Sequence, residues 1–269
     1  MLPEADHFLE ECEELASLLE TLAPEDWSRP TLFKAWTPDD VMVHLHFWNR
    51  AADLSLRDSA AFLALLAQVV DASAREGLRA CENRMIVERG ADLYRAWRTT
   101  YREMAPRWRA LDPSIRLKWG GPEMSARSSI SARQMETWSH AQALFDLFGR
   151  ARRESDRLRN IVVLGVNTFG WSFKVRGEAP PTEPPRISLV SPQGALWEFN
   201  ATSVASSVGG SAVEFCQVVA QTRNIADTSL RVAGDAAVAW MRHPQCFAGP
   251  SETPPPPGAR TSGVNWRGR

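Results

Sequence analysis

From Phe8 to Leu22 the apolar residues Phe8, Leu9, Cys12, Leu15, Leu19 and Leu22 recur mainly at intervals of three and four, with acidic residues between them. That spacing puts one apolar stripe on a helix. After the loop DWSRPTLFKAW, Thr37-Pro38-Asp39-Asp40 supply an N-cap threonine, a proline at the first helical position and carboxylates in the first turn. A second helix is expected from there to about Leu54, and a third over roughly Ser59 to Val70 and onward. Leu93, Trp97, Tyr101, Met104, Trp108 and Leu111 mark a long fourth helix that Asp112-Pro113 stops. KWGGPEMSARSS reads as a loop, and a further helix runs from about Ile130 to Phe148, with Gly149 in the favoured C′ position. No strand pattern precedes residue 155, so residues 1–152 read as a helical bundle.

The pattern changes after RARRESDRLR. One helical run near Asn160 to Val166 leads to the break EAPPTEPP, then to RISLVSPQGALWEF, two short strands around a Pro-Gln-Gly turn. A helix from about Ser211 to Gln221, a strand over Leu230 to Ala233 and a helix from Asp235 to about Met241 complete an α/β domain over 153–250. The Pro-, Gly- and Ser-rich residues 251–269 are expected to be a disordered tail. The fold class is α+β.

The 269 residues accommodate one large domain or two ordinary ones. A formal net charge of −1 gives no drive toward nucleic acid or an anionic membrane. The N-terminus lacks a basic segment followed by an apolar one, and no stretch of about 18 apolar residues occurs, so export and membrane spanning are not expected. Cys12, Cys81, Cys216 and Cys246 show no CxxC spacing, and three of them sit in apolar or helical patterns and read as small core residues, which fits a reduced, cytoplasmic setting. The expected partner is a small-molecule substrate, with the chain a monomer or homodimer. Eleven Trp against two Tyr change this ordinary picture, because each indole N–H needs a partner. Plain core packing accounts for most of them, and a roomy core or an aromatic-lined cavity accounts for an excess.

Of the five histidines, two invite a chemical reading. Glu136 and His140 are four apart, one helical turn, so they share a face and can share a metal ion. His44 sits in the second turn of helix two, with Trp48 one turn further along the same face. His46 points about 200° away from His44, which suits solvent or a supporting role. Spacing alone leaves both readings open, since such pairs are frequent on solvated faces and a lone helical histidine is more often structural. Arg133, one turn before Glu136, can orient a carboxylate or form a plain inter-helix salt bridge, and Trp138 is turned toward a neighbouring helix.

Two stretches carry a resemblance. DWSRPTLFKAWTPDDVMVHLHFWNR and WGGPEMSARSSISARQMETWSHAQALFDLFG resemble the two signatures of the mycothiol-dependent maleylpyruvate isomerase family, within the DinB-like metal-binding superfamily. The second half is similar to a subgroup of actinobacterial metal-binding proteins, and the likeness extends to about Pro250. It implies a DinB-like up-down four-helix bundle that carries the metal, followed by a small sterol-carrier-like α/β domain closing over the pocket. It also implies that His44, Glu136 and His140 are the metal ligands, with one coordination position open. Two histidines and a carboxylate suit zinc best, and manganese, nickel or ferrous iron are compatible with the same set. Arg223, in AQTRN, matches the position thought to hold a carboxylated substrate, a surface arginine after a helix end being the alternative. Trp48 and Trp119 are expected to line the pocket mouth.

Three functional readings follow. In the first, the metal activates a low-molecular-weight thiol such as mycothiol for transfer or isomerisation of a small organic substrate. In the second, an enzyme of specialised metabolism isomerises, cyclises or hydrolyses a bulky apolar substrate, with the metal as Lewis acid or structural element. In the third, the chain binds a ligand without turnover. The departures bear on the choice: Ala143 stands where the family has an aspartate, Ala141 where it has a glycine, and WEFNA replaces a W-T-W-G-P element.

Overall fold

The computed structural model describes residues 1–260, and the chain divides into two compact units, Met1–Leu147 and a second beginning at Phe148. The first unit is helical. Its elements are α1 (Glu4–Leu19), α2 (Pro38–Arg57), α3 (Ser59–Glu76), α4 (Leu78–Met85), α5 (Gly90–Arg109) and α6 (Ala126–Leu147). Helices α1 and α2 each pack on both α5 and α6, which makes a four-helix bundle with α1 and α2 on one diagonal. The stripe read from the sequence is the core: Leu93, Trp97, Tyr101, Met104 and Trp108 of α5 are fully buried against Phe8, Cys12 and Leu15 of the α1 stripe, also fully buried. Each large side chain so buried is worth roughly 1.5–3 kcal/mol before the entropy of ordering it is subtracted.

Helix α2 begins as its sequence demands. Thr37 Oγ1 accepts from Asp40 N at 3.2 Å while Asp40 Oδ2 accepts from Thr37 N at 2.9 Å, a reciprocal capping box. Asp40 also accepts from Arg79 Nε at 3.0 Å and Asn83 Nδ2 at 2.9 Å, which ties α4 to the start of α2. Helices α3 and α4 thus form an excursion between α2 and α5. The periodicity does not mark α4 as a separate element, since LRACENRM is short and mostly polar. Contrary to expectation, a strand pair precedes residue 155: β1 (Arg116–Leu117) and β2 (Met124–Ser125) pair antiparallel, too short to show an alternating pattern.

The second unit holds α7 (Arg159–Asn167), α8 (Phe169–Lys174), β3 (Arg186–Val190), β4 (Leu196–Phe199), β5 (Ser207–Ser211), α9 (Ala212–Val219), β6 (Arg231–Ala233) and α10 (Asp235–Arg242). The sheet order is β4-β3-β5-β6; β3 and β4 form the expected antiparallel hairpin, with Leu189 opposite Trp197, and β5 runs parallel to β3. Ile187 and Leu189 point into the core and are fully buried, as period-two alternation requires. Strand β5 is invisible in the sequence because SVGGS offers one branched side chain, and its glycine has a packing reason: a Cβ on Gly209 would stand 3.3 Å from Ser188 O. Gly234, at φ +81°, lies where any Cβ would meet Ala205 O at 2.1 Å.

Residues 251–260 of the expected tail are hydrogen-bonded to the rest of the second unit. Glu252 O and Pro255 O accept from Gln221 Nε2 and Asn224 Nδ2 at 3.1 and 2.8 Å, and Arg260 Nη1 donates to Gln221 O at 2.8 Å. Prolines there remove donors without removing acceptors, and the acceptors are used. Residues 261–269 of the expected tail lie outside the described residues. Cys12, Cys81, Cys216 and Cys246 are all buried, and none forms a disulfide among the described residues. No helix among the described residues is long and apolar enough to cross a membrane.

Candidate metal centre

Helix α6 carries no simple apolar stripe. Ser129, Ser131, Arg133, Gln134 and Thr137 are buried along with its apolar residues, so the bundle interior is polar at this level. A polar core face breaks the rule that shapes the other helices, and such breaks mark places where chemistry outweighs packing. Glu136 and His140 project from this helix toward His44 of α2. His44 Nε2 lies 3.6 Å and His140 Nε2 lies 3.3 Å from the same oxygen, Glu136 Oε2. One ligand atom from each of the three side chains lies within 4.8 Å of the others.

This set fits a divalent ion. Ligands at about 2.0–2.1 Å on a tetrahedral ion stand roughly 3.4 Å apart, which is the separation of the Glu136 oxygen from the two histidine nitrogens. Two imidazoles and a carboxylate suit zinc or a neighbouring first-row metal, and three ligands leave a position for water or substrate.

Electrostatics agree with the geometry. Burial alone would depress His44, but the Glu82 and Glu136 carboxylates outweigh it and raise its pKa to about 9. His140 is lowered, first by burial and then by the His44 charge. Glu136 sits well below the usual carboxylate range; burial opposes this, and hydrogen bonds from His140 and His44 overcome it. Without metal, the proton at the centre therefore resides on His44 between two carboxylates.

Aromatic side chains enclose the triad. Trp36 stacks on the His140 ring at 5.5 Å with planes 13° apart, and Phe33 meets His140 edge-on at 5.2 Å. Phe33 and Trp36 are the ends of a tight turn, with Trp36 N donating to Phe33 O at 2.8 Å. The central residues, Lys34 and Ala35, have φ of 51° and 54°. Such a turn favours glycine or asparagine at both positions, so this one holds its two aromatics over His140 against local preference. On the α2 side, Trp48 packs on Trp119 at 5.5 Å and Trp119 stacks on Phe62 at 5.8 Å with planes 9° apart.

The structure thus brings together His44, Glu136, His140, Trp48 and Trp119 in the first unit. Arg133 lies one turn below Glu136, 3% exposed, and its Nε donates to Asn49 Oδ1 at 3.1 Å rather than to a carboxylate. Its charge still faces Glu136 and Glu82. His46 is buried, not solvated, beside Arg50 and Glu88, and burial drops its pKa to about 4. Trp138 is fully buried. Arg223 belongs to the second unit and is 9% exposed, so it is not a surface arginine; its Nη1 donates to Thr222 O at 2.9 Å.

Sequence reasoning missed Phe33, Trp36 and Glu82. Glu82 of α4 is 1% exposed, and its Oε1 lies 2.9 Å from His44 Nδ1 and 2.6 Å from Trp48 Nε1. The turn carried one usable signal, two aromatics flanking Lys34-Ala35 directly before a capped helix. Glu82 carried none, because its contact with His44 spans 38 residues and a helix that periodicity does not show.

The chain is 33% identical over 247 residues to an uncharacterised protein of Mycobacterium tuberculosis, found in strain CDC 1551 / Oshkosh and in strain ATCC 25618 / H37Rv. That match covers 89% of this chain and 93% of the relative. In fold it is similar to the crystal structure of the mycothiol-dependent maleylpyruvate isomerase and to that of a histidine-to-alanine mutant. Each superposes with a TM-score of 0.52 at 13% identity, over 80% of this chain and 86% of the other. The profile of the mycothiol maleylpyruvate isomerase N-terminal domain matches residues 8–145, which include both helices of the triad, and the chain belongs to that family.

Proposed function

We propose that the protein is a metal-dependent enzyme that activates a low-molecular-weight thiol, mycothiol in kind, for isomerisation or transfer on a small organic substrate. The observation that carries this reading is the His44–Glu136–His140 cluster, three candidate ligands and no fourth among the described residues, inside a family named for a mycothiol-dependent reaction. A bound zinc ion supplies Lewis acidity that holds a thiol as thiolate near neutral pH. Glu136 and the two imidazoles would hold the ion, while Trp36, Phe33, Trp48 and Trp119 offer flat apolar walls to an unsaturated or planar substrate.

The test is a titration of mycothiol into the cobalt-loaded protein. A thiolate-to-metal charge-transfer band saturating at one thiol per chain supports the reading, and no band at millimolar thiol sinks it. The aromatic walls favour a second reading, a metal-dependent enzyme of specialised metabolism that acts on a bulkier apolar substrate without a thiol. Turnover that needs metal but not thiol would select it, and a copurifying ligand that is never turned over would select plain binding. Ala141 and Ala143, where the family carries glycine and aspartate, lie outside the ligand set, and the missing aspartate removes either a hydrogen bond behind a ligand or a contact to the substrate.

A further inference from the structure

The third carboxylate contact at the centre lies outside the ligand set. Glu82 is held by α4, whose flanking residues Arg79 and Asn83 both donate to Asp40 at the capped start of α2. Both Glu82 oxygens approach His44 Nδ1, at 2.9 and 3.2 Å, and Oε1 also accepts from Trp48 Nε1 at 2.6 Å. A carboxylate only accepts, so the proton of the His44–Glu82 bond sits on Nδ1, and Nε2, which faces Glu136 and His140, is the nitrogen that can give up its proton to a metal ion. Rotating either ring away would leave the buried carboxylate with one partner fewer, and an unmet bond to a buried charge is costly.

We propose that Glu82 is the positioning residue of the metal centre: it selects Nε2 of His44 as the ligand atom and locks the Trp48 indole beside it, so that metal occupancy and the aromatic wall respond together. This rests on the metal reading of the His44–Glu136–His140 cluster. A carboxylate behind a liganding imidazole also makes that imidazole a stronger donor. Charge balance gives Glu82 a further part. A divalent ion with Glu136, Glu82 and the buried Arg133 guanidinium leaves one net positive charge at the centre. A single anion at the open position, thiolate or carboxylate, neutralises it, whereas a site lacking Glu82 would retain an extra uncompensated charge.

The experiment compares the full-length wild type with Glu82→Gln, which keeps size and removes charge. Zinc and cobalt affinities are measured by chelator competition at neutral pH, alongside the metal-induced change in tryptophan fluorescence. Wild type is expected to bind one ion per chain, and Glu82→Gln about 10- to 100-fold more weakly, with a blunted fluorescence response. Wild type that binds no ion overturns the metal reading itself. Wild type that binds while a folded Glu82→Gln binds within threefold of it overturns the role of Glu82 alone. Should the variant fail to fold, long-range proton–nitrogen spectra of zinc-loaded wild type with labelled histidine decide: a protonated Nδ1 and metal-bound Nε2 on His44 are expected, and metal on Nδ1 overturns the proposal.

Discussion

Replacing Asp40 by alanine should unfasten the frame of the site while touching no ligand. Asp40 is 8% exposed and accepts from Thr37 N, Thr37 Oγ1, Asn83 and Arg79. Loss of the reciprocal half of the capping box, the bond from Thr37 N, costs about 1 kcal/mol, and the other buried bonds to a charged acceptor about 1.5–3 kcal/mol. The Arg79 ion pair adds little, since that side chain is 45% exposed and is resolvated when freed. The total is about 3 kcal/mol, or roughly 6–12 °C in Tm for a chain of this size. Urea unfolding of the metal-free protein, followed by tryptophan emission, reads mainly the first unit, which holds seven of the eleven tryptophans. Asp40→Asn supplies the pH dependence. Burial works to raise the Asp40 carboxyl, but bonds from Thr37 and Asn83 and the Arg79 charge hold it below its ordinary value. A depressed carboxyl gives stability that is full above the unfolded value near 3.9 and lost as pH falls through the folded value. Wild type should therefore exceed Asp40→Asn across pH 5–8, with the gap closing below about pH 4. A loss under 1 kcal/mol in Asp40→Ala, or a gap that persists at low pH, would refute this account of how α4 is fastened.

Further outcomes follow from the same geometry. Glu136→Gln and His140→Ala should each bring zinc per chain, by elemental analysis after dialysis, from about one to about one tenth or less; full retention in either would exclude that residue as a ligand. Ala35→Gly relieves a left-handed alanine and should stabilise by about 0.5–1 kcal/mol in chemical denaturation, whereas destabilisation would mean the turn is not strained. Trp119→Ala removes the stack on Phe62 and the contact with Trp48, so KM for the cognate substrate should rise about tenfold with kcat little changed; an unchanged KM would remove Trp119 from the binding wall. In the second unit, Gly165→Ala would put a Cβ 2.9 Å from Val219 Cγ2 and 3.0 Å from Phe215 Cε1, so a loss of about 1–3 kcal/mol is expected; an unchanged Tm would show that α7 and α9 can part freely.

Several features needed nothing but the chain order. The stripe on α5, the capped start of α2 and the β3–β4 hairpin are local patterns, and helix or strand geometry turns each directly into a buried face. The four-residue step from Glu136 to His140 likewise fixes that pair on one side of α6. Their meeting with His44 is different in kind, because 92 residues separate His44 from Glu136, and only packing of α2 on α6 brings Nε2 to 3.6 Å from the carboxylate. The family signatures pointed to that triad; periodicity could not.

What the tertiary structure alone decided is the surround of the metal site. Glu82 reaches His44 from a short polar helix with no periodic mark, and a strained turn with neither glycine nor asparagine sets Trp36 over His140. Strand β5 exists because β3 and β6 flank it rather than because SVGGS prefers extension. Residues 251–260 are ordered because their carbonyls find donors on Gln221 and Asn224. In each case the residue's own preference is weak or contrary, and burial of a partner far along the chain supplies the free energy that overrides it. The sequence by itself determined the faces and the liganding pair on α6, since those depend on bonds between near neighbours. The third ligand's approach, its carboxylate support and the aromatic walls depend on contacts that exist only once the helices have packed.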